Sequence, residues 1–260
     1  LAVICTRSID HCEHVVKSLE AGLHAYVEKP AAMSADEMDR MIEAARKAGK
    51  VLTVNQSLRS HDDLRYIREV IDSGVLGEVF WIRRTNFSFY RRHDWQMVKE
   101  YGGGMLNNGG VHVIDQILRL ADAPVSDVWG DLKCTGASSG DADDFVRASI
   151  RTEDGRLLEV VSTYTCAFDQ PAWLVCGNCG SLTVERAKAE GGKPQAVLKY
   201  FDPAKAPQRP PEGPVPVGRV YRHPDDLPWV EWEGAAVPKE PFPDWYEALY
   251  RTIRCGEAPL

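Results

Sequence analysis

The sequence has no apolar run approaching the roughly 18 residues that cross a bilayer. No membrane span and no membrane partner are expected. Positive charge is in deficit: 31 Lys and Arg stand against 38 Asp and Glu, for a net charge of −7. A nucleic-acid grip neutralises phosphates and needs a basic surface, so no nucleic-acid partner is expected. The seven cysteines are odd in number and irregular in spacing. They read as reduced thiols in a reducing, cytoplasmic compartment rather than as a disulfide framework. No second pair matches Cys176-Gly-Asn-Cys179, so no metal site is expected. Internal repeats are absent, and no Gly-x-Gly-x-x-Gly phosphate loop occurs in the 260 residues. The hydrophobic content of 44% argues against disorder for most of the chain. The chain opens on Leu1 rather than Met and stops at Leu260, so both ends read as cuts, and an N-terminal leader stays an open question.

What is present begins with alternation. Residues 1–5 (LAVIC) form a continuous apolar run, the mark of a strand buried on both faces, which within these 260 residues would stand as an unprotected sheet edge. A helical pattern over 10–21 ends at Gly22, and a second strand covers 24–27. Ser34-Ala-Asp-Glu37 has the spacing of a capping box and opens a helix that Gly49 closes. Residues 51–54 (VLTV) are a third strand. Strand–helix–strand–helix–strand with short loops implies a parallel sheet with right-handed crossovers. Ligands bind beyond the carboxyl ends of such strands, here residues 6–8, 28–30 and 55–57. After a helix ending at Gly74 the texture changes. Strand-like runs recur over 78–89, 125–133, 145–151, 157–166, 172–176, 181–186 and 196–201, and Asp154-Gly155 signals a hairpin. This second part reads as a large, mainly antiparallel sheet. Six prolines between Pro203 and Pro216 suggest an extended surface loop, and Trp245, Leu249 and Ile253 a last helix stopped by Gly256. Trp229 and Trp232 read as packing residues on one strand face.

Two segments carry chemistry. In Gly102-Gly-Gly-Met-Leu-Asn-Asn-Gly-Gly-Val-His-Val-Ile-Asp115, Val111, Ile114, Leu118 and Ala121 form an apolar helical stripe. Asn108, His112 and Asp115 share an adjacent face at i, i+4 and i+7, entered through flexible glycines. That suits a cleft edge; a capped helix with a structural His112 is the alternative. In Glu28-Lys29-Pro30 the lysine stands at the end of the second strand, facing the crevice. A Lys-Pro turn without function is the alternative, and proline leaves both isomers of the bond open.

The order Thr6…His11, Val27-Glu-Lys-Pro30, Val54…Arg59, Gly74-Val-Leu-Gly-Glu78 and Gly102-Gly-Gly…Gly110-Val-His112…Asp115 resembles the glucose–fructose oxidoreductase / inositol dehydrogenase (Gfo/Idh/MocA) family over nearly the whole chain. The resemblance implies an α/β fold: part of a Rossmann domain with a parallel sheet over 1–57, then an α+β domain for substrate binding and oligomerisation over 58–260. It implies NAD or NADP as cofactor, and hydride transfer to or from a sugar, cyclitol or related polyol in carbohydrate metabolism. A homo-oligomer formed through the open sheet is also implied. By the same resemblance Lys29 and His112 are catalytic, with Asp115 and Asn108 supporting. Thr6, Arg7, Ser8, His11, Glu28 and Lys29 line the cofactor, and Arg92, Trp95, Asn108 and His112 meet substrate. The residue types suit the chemistry. A histidine with a pKa of roughly 6.5 is poised to take a hydroxyl proton, and an ammonium favours the developing alkoxide.

Three departures qualify the resemblance. The family's first two strand–helix units and its glycine fingerprint are missing, so the 260 residues read as a fragment, inactive alone and weak in binding NAD(P)H. A non-catalytic sugar-binding or assembly module is the rival reading. Asn108 stands where the family often has Asp, which should let His112 act as a base at lower pH. Arg7 replaces a usual proline, with a cofactor phosphate or solvent as its alternative partners.

Overall fold

The computed structural model describes residues 1–185, 195–206, 227–236 and 245–257. Three short strands, β1 (Ala2–Ile4), β2 (Ala25–Val27) and β3 (Leu52–Val54), pair in parallel in that order. Helices α1 (His11–Glu20) and α2 (Ala35–Ala48) form the crossovers. Val15, Leu19 and Met41 from the helices pack on Ile4, Ala25 and Val27 from the strands. The Ser34 hydroxyl accepts the Glu37 N–H at 3.2 Å, as the capping box requires. The Glu37 carboxylate reaches one residue further back than the motif does, to the Met33 N–H at 2.8 Å. Gly49 closes α2 in the left-handed region, at φ 60°.

Within the described residues the first strand is the expected edge and is not covered on both faces. Leu1 and Val3 are 55% and 60% exposed, because β1 is the sheet edge among the described residues. Only β2 is buried throughout. Its Tyr26 points away from the α1–α2 core, towards Tyr246 of α5 (Trp245–Cys255), at 6.2 Å between ring centres.

Helix α3 (Asp62–Asp72) leads into an eight-stranded sheet of order β11-β10-β9-β8-β4-β7-β6-β5. Its strands are β4 (Val79–Phe87), β5 (Val125–Lys133), β6 (Phe145–Thr152), β7 (Leu157–Thr163), β8 (Trp173–Gly177), β9 (Gly180–Val184), β10 (Gln195–Tyr200) and β11 (Val230–Ala236). Every neighbouring pair is antiparallel except β4 and β7. The Cys176–Cys179 stretch is the β8–β9 hairpin. A side chain at Gly177 would meet the Leu76 carbonyl oxygen at 2.2 Å, so glycine is required there for close approach.

Helices α3 and α4 (Val111–Ala121) cover one face of this sheet. The expected α4 stripe is displaced. Val113, Ile117, Leu120 and Ala121 are buried, whereas Ile114 and Leu118 are only partly covered. Helix α4 is apolar over more than one face, and the strands of β4 and β7 select the Val113–Ile117–Leu120 row. Burying Ile117 fully contributes about 1.5–3 kcal/mol. Trp173 is sealed in the same core, its indole N–H donating to Asp63 at 2.7 Å while the Arg84 guanidinium lies 4.6 Å over its ring. Trp229 and Trp232 do not share a face. Trp232 meets Tyr66 of α3, and Trp229, just before β11, meets Phe201 and Lys199. They are three residues apart, and a strand alternates every residue. Most of the proline-rich loop, from residue 207, lies outside the described residues. No described helix is long and apolar enough to cross a membrane.

Candidate functional site

The site is framed by Gly102–Gly104, and these glycines are packed tightly rather than flexible. A β-carbon at Gly102 would meet the Met33 sulfur at 2.9 Å and Ser8 at 3.1 Å. At Gly103 it would strike the Gln96 carbonyl at 2.6 Å. Gly104 sits at φ +118°, where only glycine is at ease, and its β-carbon would overlap Asp143 Oδ1 at 2.2 Å. Asp143 is occupied: its Oδ2 accepts the Leu106 N–H at 2.8 Å and its carbonyl the Met105 N–H at 2.7 Å. Burial raises the pKa of its carboxyl. The chain then winds one π-helical turn, Leu106–Gly110, before α4 starts. Such turns re-aim side chains and recur at functional sites.

Asn108, His112 and Asp115 each meet a residue from the loops after the parallel strands. The Lys29 ammonium donates to the Asn108 carbonyl at 2.8 Å and to its Oδ1 at 2.9 Å. The Lys29–Pro30 bond is cis. His112 Nδ1 lies 2.8 Å from Gln56 Oε1, and the Gln56 amide nitrogen faces the Val111 carbonyl at 3.4 Å. That orientation assigns the proton to Nδ1 and leaves the Nε2 lone pair available. Asp115 holds Arg59 through two bonds, of 2.9 and 2.6 Å.

Burial is the main cause that lowers the Lys29 pKa; Arg92 adds to it and Glu28 opposes it. For His112 the same cause comes first, then the Lys29 charge, and together they lower its pKa from 6.5 to about 4 against the pull of Asp115 and Glu28. The ring is therefore neutral near pH 7.

The other expected residues lie around this axis. Glu28 accepts the Asn55 amide at 2.6 Å and the Lys29 N–H at 3.3 Å. Thr6 is within 3.2 Å of His14 Nδ1. Arg7 pairs with Asp10 at 3.0 Å and lies 5.0 Å over the Tyr101 ring. His11 is 1% exposed, with one ring nitrogen 2.8 Å from the Pro30 carbonyl and the other 3.1 Å from the Thr6 carbonyl. It bridges the loops that follow β1 and β2. Ser8, Lys29, Trp95, Gly103 and Asn108 border one narrow cleft. His112 and Asp115 lie further along α4, against Gln56 and Arg59.

Sequence reasoning missed Tyr164. Its hydroxyl accepts the Asn108 amide at 2.7 Å and an Arg92 N–H at 3.4 Å. It follows β7, the strand on which the Leu106–Gly110 turn packs, and so comes to Asn108. Gln56 lay in the crevice stretch read from the sequence, but its bond to His112 carried no sequence signal.

Residues 1–56 match the model of an oxidoreductase family with an NAD-binding Rossmann fold. Residues 64–183 match that of the GFO/IDH/MocA C-terminal domain. The chain is 27% identical to the uncharacterized oxidoreductase YhhX of Escherichia coli, over 98% of its own length and 71% of that protein. It is 34% identical to the D-glucoside 3-dehydrogenase of the same bacterium, over 46% of its length and 35% of that enzyme. An NAD-binding protein from Listeria innocua shares the fold with a TM-score of 0.81 at 24% identity, over 99% of this chain and 72% of that one.

Proposed function

The chain belongs to the Gfo/Idh/MocA family of NAD-binding Rossmann oxidoreductases, and on that premise we propose that its site transfers hydride between a nicotinamide and a hydroxyl-bearing carbon of a sugar or cyclitol. The observation that carries the reading is that Asn108, which holds the Lys29 ammonium, and His112, held by Gln56, stand one turn apart against the loops after β2 and β3.

The residues fit the nicotinamide end of such a cofactor. Thr6–Ser8, Glu28–Pro30 and Asn55–Gln56 emerge from the same end of parallel strands. Ser8, Lys29 and Pro30 of these loops share one narrow cleft with Gly102–Gly104. The glycine-rich phosphate loop is not in these 260 residues, so the pyrophosphate end has no counterpart among them. A bound nicotinamide supplies the hydride acceptor or donor; the chain's own groups handle the proton.

His112 Nε2 takes the substrate hydroxyl proton. Gln56 fixes the ring's tautomer and turns that nitrogen outward. Lys29 spends two ammonium protons on Asn108 and keeps one for the reacting oxygen, favouring its alkoxide character. Low solvent access strengthens that interaction. The lowered His112 pKa keeps the base competent well below pH 6.5.

The test is reduction of NAD⁺ and NADP⁺, followed by absorbance, in the intact protein with a panel of sugars and cyclitols. Turnover that falls roughly 10²–10⁴-fold in both Lys29→Met and His112→Asn supports the assignment. Full activity in either variant, or no turnover across the panel, overturns it.

A further inference from the structure

Resting on that reading, we infer that Asp94 sets the site for uncharged substrates by neutralising Arg92. The Arg92 side chain is only 18% exposed, and both edges that would grip a carboxylate are taken. On one edge Nε and Nη2 meet Asp94 Oδ2 at 3.0 and 2.9 Å. On the other, Nη2 donates to Gln96 and Nη1 to the Tyr164 hydroxyl at 3.4 Å. Arg7 and Arg59 are likewise committed to Asp10 and Asp115. Lys29 has one ammonium proton left, which the reacting oxygen uses. A substrate carboxylate would lose its water beside these four described cations without finding one of them free.

The groups that remain suit hydroxyls instead. The Tyr164 oxygen receives the Asn108 and Arg92 protons, so its own proton is directed to a further acceptor. Trp95, 36% exposed at the cleft rim, offers an apolar face to ring C–H groups. Asp94 is held in place by its own Oδ1, which accepts the Gln96 N–H at 2.8 Å and caps the short turn that carries Trp95. One carboxylate thus builds the rim and cancels its charge.

The experiment compares matched pairs, glucose with glucuronate and galactose with galacturonate, in the intact protein and in Asp94→Asn. Both NAD(P)⁺ reduction and calorimetric binding are read. We expect at least a tenfold preference in kcat/KM for the neutral sugar of whichever pair is accepted. In Asp94→Asn that ratio should shrink about tenfold, chiefly through a lower KM and tighter binding for the uronate. The variant keeps an acceptor for the Gln96 N–H, and the ratio in the parent protein is informative even if the variant does not fold. A parent that handles the uronate as well as the neutral sugar, or an unchanged ratio in Asp94→Asn, overturns the inference alone. If neither class is bound or oxidised, the polyol reading falls first and takes this inference with it.

Discussion

Acidification gives the sharpest test of how His112 is held. Its folded pKa of about 4 lies below the 6.5 of an exposed ring. The unfolded chain therefore takes up the proton first as pH falls, and folding is opposed. The stability due to the neutral ring is complete above pH 6.5 and is lost progressively towards pH 4. Between pH 7 and pH 5 the two pKa values give a loss of about 2 kcal/mol by linkage. The ring is only half-buried, and solvent screening reduces this to about 1 kcal/mol. Urea unfolding followed by circular dichroism at pH 7, 6 and 5 would measure it, comparing the protein with His112→Gln. Groups common to both proteins cancel in the difference, including His24, whose burial also lowers its pKa. The stability gap between them should close by about 1 kcal/mol from pH 7 to pH 5. Parallel curves across that range would refute the account of a ring kept neutral by burial and by the Lys29 charge.

Two further outcomes follow from the frame. Gly104→Ala forces a φ of +118° on alanine and drives its methyl into Asp143, so unfolding should become easier by about 2–4 kcal/mol, read as a lower urea midpoint. An unchanged midpoint would mean that the glycine is not needed for the seat. Asn108→Asp places a carboxylate about where Oδ1 now sits, 2.9 Å from the Lys29 ammonium. The His112 pKa should rise by about one unit in an NMR titration, and a titration that does not move would reject the coupling.

Much of the fold was legible because its signals are local. The Ser34 cap, the Gly49 stop and the Asp154-Gly155 hairpin each act within a few residues. What was misread needed knowledge of neighbours. Helix α4 has enough apolar positions to offer several stripes, and only the packing of β4 and β7 selects one. The three glycines read as slack, yet each sits where another element leaves no space for a β-carbon. For the site, the Lys29 and His112 positions stood out through motif order. Their actual partners did not. Tyr164 reaches Asn108 across 56 residues, and Gln56 reaches His112 across the same separation.

The parallel β4–β7 pair bears on how the molecule assembles. Strand β4 sits inside the large sheet, with Ile82 opposite Leu158 on one side and Val175 on the other. Neither partner is close in sequence, so no hairpin can template it. The β6–β7 and β8–β9 ribbons can zip early from local turns, but they stay two separate pieces with open edges until β4 enters between them. Closing such long loops slows folding towards the millisecond-to-second range, and the waiting edges invite pairing with other chains. Helix α4 packs on β4 and β7 together, so the core beneath it closes only once that central strand has seated.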